Sequence, residues 1–145
     1  MTVYYSTELA SIASSPAVKA EALKGHAARL RRYRATLTYA TQAYITPDQF
    51  VLAIVPTGST FAFGILTADT SSGSTTIKIG ITGTLDKYKA AAAFTATNTP
   101  TFFGTAAQAG YATPSSAEET ILLTIGTADA PGTGTLVVDL YFTSV

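Results

Sequence analysis

TTIKIGIT, residues 75–82, decides how the chain is read. Ile77, Ile79 and Ile81 alternate with Thr76, Lys78 and Gly80. A repeat of two puts the isoleucines on one face of an extended strand and the other residues on the opposite face. Isoleucine is β-branched and favours that conformation further. On the N-terminal side, Ser72-Gly73-Ser74 interrupts the pattern, and Thr60 to Ala68 reads as another strand. Phe50 to Val55 reads as a strand that ends in the turn Pro56-Thr57-Gly58-Ser59. Further back, Tyr33, Ala35, Leu37 and Tyr39 alternate with Arg34, Thr36, Thr38 and Ala40, a half-buried strand. On the C-terminal side, Leu85 to Phe94 (LDKYKAAAAF) fits either a helical turn or a strand. Thr101 to Thr105 makes a short strand. Glu119 to Thr127 and Thr135 to Thr143 are the last two, with Gly132-Thr133-Gly134 between them as a hairpin turn. Leu136, Val138, Leu140 and Phe142 share one face of the final strand.

Seven or eight short strands separated by turn signals predict an all-β domain, an antiparallel β-sandwich or jelly roll, over residues 35–145. Residues 1–34 read as an N-terminal arm. Ser15 caps a short helix there, Pro16 suits its first turn and Gly25 its end, with AVKAEALK between them. A helix that short is marginal alone and needs a surface to lie on.

Composition separates the arm from the body. The chain has 145 residues, enough for one domain with a real core. The arm carries six Lys/Arg against two Asp/Glu, and the body three against seven, so a formal net charge of zero conceals opposite charges on the two parts. Such asymmetry points to a partner. Charged residues make up only 12% of the chain, and threonine takes their place with 26 copies. A Thr-rich exterior of low charge suits packing against other subunits, and equally suits a mild β-rich surface. No cysteine is present, so neither disulfides nor thiolate metal sites arise. The first residues show no signal-peptide pattern, and no stretch has the ~20 apolar residues of a membrane span.

Catalytic patterns are missing. His26 is the one histidine and has no acid nearby in sequence, so neither a Ser-His-Asp triad nor a zinc site is expected. Glu118 and Glu119 are adjacent, and neighbours in a strand point to opposite faces. They read as the start of a strand rather than a catalytic pair. Asp69 with Asp129 or Asp139 would bind calcium only if folding gathered them. The expectation is a protein that is not an enzyme and takes no cofactor or metal.

The arginines carry more information. All four fall in the run HAARLRRYR, as Arg29, Arg31, Arg32 and Arg34. With Lys24 they suit docking on an acidic protein neighbour, since guanidinium pairs bidentately with carboxylates. An internally paired or solvated face is the plain alternative, and phosphate contact is a third. Tyr4 and Tyr5 lie in the arm outside any strand, where aromatic residues serve as anchors in a partner's groove. The expected partner-binding set is therefore Tyr4, Tyr5, Lys24, Arg29, Arg31, Arg32 and Arg34. The remaining Tyr and Phe alternate with Thr or Ala and read as core and cross-strand packing.

Residues 50–94 resemble a recurring segment of small virion structural proteins of tailed bacteriophages. The features are Pro56 and Gly58 in the turn after a strand, Gly64 in the next strand, the loop Ser71 to Ser74, the strand Ile77 to Ile81, and then Asp86, Tyr88, Ala90 and Ala91. The resemblance covers about a third of the chain. It implies a capsid decoration or cement protein on the outside of an icosahedral shell, assembled in the host cytoplasm. The implied partners are the major capsid protein and further copies of the chain, as dimers or trimers, with neither membrane nor nucleic acid. Related phage proteins serve as head spikes or tail parts. A sandwich that binds a host surface glycan, through Thr95 to Phe103 or Thr105 to Ser116, is the alternative.

Overall fold

The computed structural model describes residues 29–41, 44–109 and 113–144. Its eight strands are β1 (Arg29–Thr38), β2 (Gln49–Val55), β3 (Thr60–Ala68), β4 (Thr76–Ile81), β5 (Thr84–Ala93), β6 (Thr101–Phe103), β7 (Glu119–Gly126) and β8 (Thr135–Ser144). They form two four-stranded sheets, ordered β1-β8-β3-β6 and β2-β7-β4-β5. The antiparallel partners β1·β8, β2·β7, β3·β6 and β4·β5 nest inside one another. The chain is doubled back on itself at Thr82-Gly83, and the doubled ribbon is then rolled so that its strand pairs fall alternately into two sheets. This is a jelly roll. Gly83 has φ +87°, a value glycine adopts without steric penalty. It sits where β4 must reverse directly into β5.

The core lies between the sheets and follows the period-two pattern. Ile77 and Ile79 of β4 stand beside Ile125 and Leu123 of the neighbouring β7, and Ile121 of β7 joins them, all fully buried. From the other sheet come Leu66, Leu136, Val138 and Leu140. An aromatic cluster closes one end. Phe142 meets the rings of Phe61, Tyr88 and Tyr33 edge-on, with centroids 5.3, 5.6 and 5.9 Å away.

Three expectations are settled differently or more sharply here. The segment Leu85 to Phe94 is strand, not helix. Leu85 to Tyr88 oppose Gly80 alone in a wide bulge, because Ile81 pairs with Thr84 and Ile79 with Lys89. A bulge re-aims side chains, and this one turns Tyr88 into the core. The turn at Gly132-Thr133-Gly134 closes no hairpin. It carries the chain from β7 in one sheet to β8 in the other. Finally, β1 starts at Arg29 and pairs without interruption from Arg29↔Ser144 to Thr38↔Thr135. The arginines expected in the arm are thus part of the sheet. A strand can carry charge on its solvent face and at its frayed end, and β1 does both. The expected helix over residues 17–24, together with Tyr4, Tyr5, Lys24 and His26, lies outside the described residues.

Candidate functional site: the outer face of one sheet

Strand register determines what the β1-β8-β3-β6 sheet turns outward. Leu136, Val138, Leu140 and Phe142 of β8 point into the core, so Val137, Asp139, Tyr141 and Thr143 point out. The residues aligned with them form two rows across the sheet. One row runs Arg32, Tyr141, Phe63. The other runs Arg34, Asp139, Ile65, Phe102.

In the second row, Arg34 grips Asp139 with two bonds. Its Nε donates to Oδ1 at 2.8 Å and a terminal nitrogen donates to Oδ2 at 2.7 Å. Arg32 Nε stands 3.9 Å from the same carboxylate. Asp139 is 6% exposed although it lies on an outer face, because the guanidinium covers it. The hydrogen bonds from Arg34 hold its carboxyl below the usual range against the opposing effect of burial, and the pairing raises Arg34 in turn. A carboxylate with a depressed pKa stabilises the fold above its unfolded pKa of ~3.9 and loses that contribution as pH falls through the native value. Asp139→Asn is expected to cost ~1–3 kcal/mol at pH 7, where the guanidinium loses its ionised partner. The gap between wild type and variant should close as the pH is lowered from 5 to 2. Urea midpoints across that range check this, and a gap that stays constant with pH would rule the ion pair out as the cause.

Aromatic rings dominate the rest of the face. Tyr141 and Phe63 stack at 4.5 Å with 20° between planes, and Phe102 tilts against Phe63 at 5.7 Å. Phe102 is 69% exposed, and Leu30, near the start of β1 on the same face, is 55% exposed. Phe63 and Tyr141 pack cross-strand, one of the two roles expected for the aromatic residues, and they do so on the outer face because β3 and β8 carry apolar side chains on both faces. The signal was present in the nearly unbroken run Leu136-Val137-Val138-Asp139-Leu140-Tyr141-Phe142, which reads as a strand covered on both sides.

Of the expected partner-binding residues, the structure places four together on β1. Arg32 and Arg34 lie on the outer face. Arg29 and Arg31 continue the register of Tyr33, Ala35 and Leu37 but lie beyond the core and are exposed. Among the described residues, neither has an ion-pair partner. The run is therefore split: Arg34 closely and Arg32 more loosely pair with Asp139, and Arg29 and Arg31 remain turned to solvent. Asp69, Asp129 and Asp139 are not gathered. Asp69 accepts from the Thr135 backbone N–H and Asp129 from that of Thr46. Among the described residues no group of three or more His, Asp or Glu forms a metal cage, and no helix is long and apolar enough to cross a membrane.

A second feature opens at the end of the sandwich. A cleft of about 360 Å³ is bounded by Ser59, Phe61, Lys87, Tyr88, Gln108, Pro114, Ser115 and Glu119, among others. The Glu119 carboxylate accepts from Lys87 Nζ on one oxygen and from the Tyr88 hydroxyl on the other. Burial, first, and this acceptor, second, push the Tyr88 phenol well up from its ordinary value. Ser59 is 3% exposed, and among the described residues its hydroxyl has no hydrogen-bond partner. Glu119 is the first residue of β7, as its sequence position implies. Its partners Lys87 and Tyr88 come from β5, 32 and 31 residues away, so the cluster was invisible in local spacing.

Comparison with known proteins gives a fold and no family. No protein-family model matches the chain, and no curated protein does. Among solved structures, a chain of the cyanophage Pam1 capsid asymmetric unit superimposes with a TM-score of 0.63 at 14% identity, over 81% of this chain and 86% of that one. A chain of the capsid of Ralstonia phage GP4 gives 0.59 at 18% identity, over 81% and 84%. A chain of the acidic stable capsid of Helicobacter pylori bacteriophage KHP30 gives 0.56 at 10% identity, over 79% and 86%. The near-equal coverage in each pair means that all three are chains of about this size. At these identities the likeness is one of fold.

Proposed function

We propose that this chain is a non-enzymatic structural component of a bacteriophage virion, and that it decorates and stabilises the icosahedral shell by bridging major capsid protein subunits. One observation carries the reading: the same jelly roll, at about the same length, occurs in three phage capsids. Fold alone does not determine function, but two features of the site agree with it. The one polar cluster in the cleft has both oxygens of its carboxylate engaged, and the outer face of the β1-β8-β3-β6 sheet has the composition of a contact surface. In this reading the protein sits on the capsid surface after assembly in the host cytoplasm, as dimers or trimers. It binds the assembled shell and not its free subunits, so it stabilises the particle by mass action in proportion to affinity and occupancy. Residues 1–28, ahead of β1, act as the arm that reaches onto the shell or an adjacent copy. Tyr4, Tyr5 and Lys24 of that arm join Arg29, Arg31 and Arg32 in contact.

The test is co-sedimentation of the purified protein with undecorated shells of its own phage. Saturable binding at a fixed ratio to the major capsid protein is the expected result. Absence of binding at low and moderate salt would overturn the reading.

A second reading, recognition of a host surface glycan by a head spike or tail component, is favoured by the cleft. It is lined by residues of the Thr105 to Ser116 loop and holds a buried hydroxyl at Ser59 that is unpaired among the described residues. Retention of one class of glycan on an array, lost in Ser59→Val, would support it.

A further inference from the structure

Resting on the virion reading, we propose that the outer face of the β1-β8-β3-β6 sheet is the surface that docks on the shell. Its partner would be a folded protein patch of apolar side chains edged by carboxylates. Phe63, Phe102 and Tyr141 would insert among the apolar side chains and Arg32 would meet an acid.

The ring geometry selects a protein over a planar ligand. Tyr141 and Phe63 lie face to face across neighbouring strands, so they stand upright on the sheet and turn their edges outward. A sugar or a nucleobase stacks on an open ring face; each of these rings spends one face on the other, and Phe63 is further met by Phe102 at 5.7 Å. Upright rings with grooves between them suit interdigitation with side chains. Aromatic residues and arginine together are also the composition enriched at the centre of protein interfaces.

Charge selects the kind of protein. The outer rows carry Arg32 and Arg34 against Asp139, a net positive charge, and Arg29 and Arg31 stand exposed on the other side of the open end of β1. The surface is therefore positive beside its aromatic patch, although the chain is neutral overall. Two-fold pairing of this face with itself would offer Arg32 no carboxylate beyond Asp139, which Arg34 already holds with two bonds. An isologous contact must be self-complementary, so a second copy bound face to face is disfavoured and an acidic neighbour is favoured. The Arg34–Asp139 pair has a distinct part. It holds the second row rigid and leaves Arg32, at 3.9 Å from the shared carboxylate, available to an incoming acid.

The experiment compares full-length wild type with Phe102→Asp, Arg32→Glu and, on an edge strand of the opposite sheet, Val51→Asp. Val51 is 61% exposed, and Phe102 and Arg32 are also exposed, so all three variants should fold. Unchanged thermal midpoints verify this. Binding to undecorated shells is read by co-sedimentation, and self-association by analytical ultracentrifugation. The expected result is a loss of at least ~tenfold in shell affinity for Phe102→Asp and Arg32→Glu, with Val51→Asp near wild type. Rising salt should weaken wild type more than Arg32→Glu. If wild type binds and both face variants bind equally well, the face assignment is overturned while the virion role stands. If wild type does not bind, both fall. Loss of self-association in Phe102→Asp without loss of shell binding would name a second copy as the occupant and overturn the proposal. Retention of wild type, but not Phe102→Asp, on a glycan array would do the same in favour of a saccharide.

Discussion

Phe142→Ala should lower the unfolding free energy by ~3–5 kcal/mol, the range for removing a fully buried aromatic side chain. Phe142 is 2% exposed and sits where the two sheets close on each other. Phe61 approaches it from the neighbouring strand β3, Tyr33 from β1 and Tyr88 from the opposite sheet. Each edge-on pair adds to plain burial, and truncation forfeits all three at once. The cavity would not refill easily, because Tyr88 is held by its bond to Glu119 and Tyr33 by the β1 ladder. For a domain whose total stability is of order 5–15 kcal/mol, this is roughly a fifth at the least and the whole at the most. Thermal unfolding should show a drop of ~10–20 °C. A drop of only a few degrees would mean that the aromatic cluster is not the keystone of the two sheets.

Gly80→Ala is expected to be nearly as damaging, although it adds only one carbon. A Cβ at Gly80 would lie 2.1 Å from the carbonyl oxygen of Thr84, 2.5 Å from the carbonyl carbon of Leu85 and 2.8 Å from the nitrogen of Asp86. These are backbone atoms of the β5 bulge, and they cannot rotate away as a side chain would. The bulge would have to lift, and Tyr88 would lift with it. Overpacking of this kind costs ~1–3 kcal/mol and occasionally more, and the rigidity of the obstacle puts Gly80→Ala at about 3. Gly132→Ala is the matched reference: a Cβ there meets nothing within 4 Å, and a change within ~0.5 kcal/mol is expected. Equal midpoints for the two variants would show that the bulge yields freely.

Much of this architecture could be read from the chain because a strand writes its burial into alternate letters. Ile77, Ile79 and Leu136-Val138-Leu140-Phe142 are core, and Ile81 packs half-buried at its edge, as their spacing requires. Pairing was not legible. Alternation says which face a residue occupies and not which strand lies beside it, so Gly132-Thr133-Gly134 looked like a hairpin when it is a passage between sheets. The start of β1 was hidden for a related reason. Arg29 and Arg31 occupy the inward register past the edge of the core, where the code has nothing to report. Asp139 stood out in the sequence only as an acid that calcium could use if folding gathered it with others. That it is buried follows from Arg34, 105 residues earlier, which only the β1·β8 register brings opposite. The upright aromatic rows could have been suspected from apolar letters on both faces of β3 and β8. Their stacking depends on neighbours contributed by separate strands.

The nesting of the strand pairs also dictates an order of events during synthesis. In the β1-β8-β3-β6 sheet, the strand that joins β1 to β3 is β8, which follows all the others in the chain. Until the ribosome has delivered β8, β1 and β3 have no common partner and that sheet cannot form. The innermost pair, β4·β5, is by contrast complete early and closes through a two-residue turn. Maturation should therefore spread outward from the middle of the chain and end by capturing its earliest-made described strand. During translation, at ~5–20 residues per second, β1 waits with its arginines exposed. Positive side chains on an unpaired edge discourage pairing with the wrong strand, so the same residues that face a partner in the finished protein guard the nascent one.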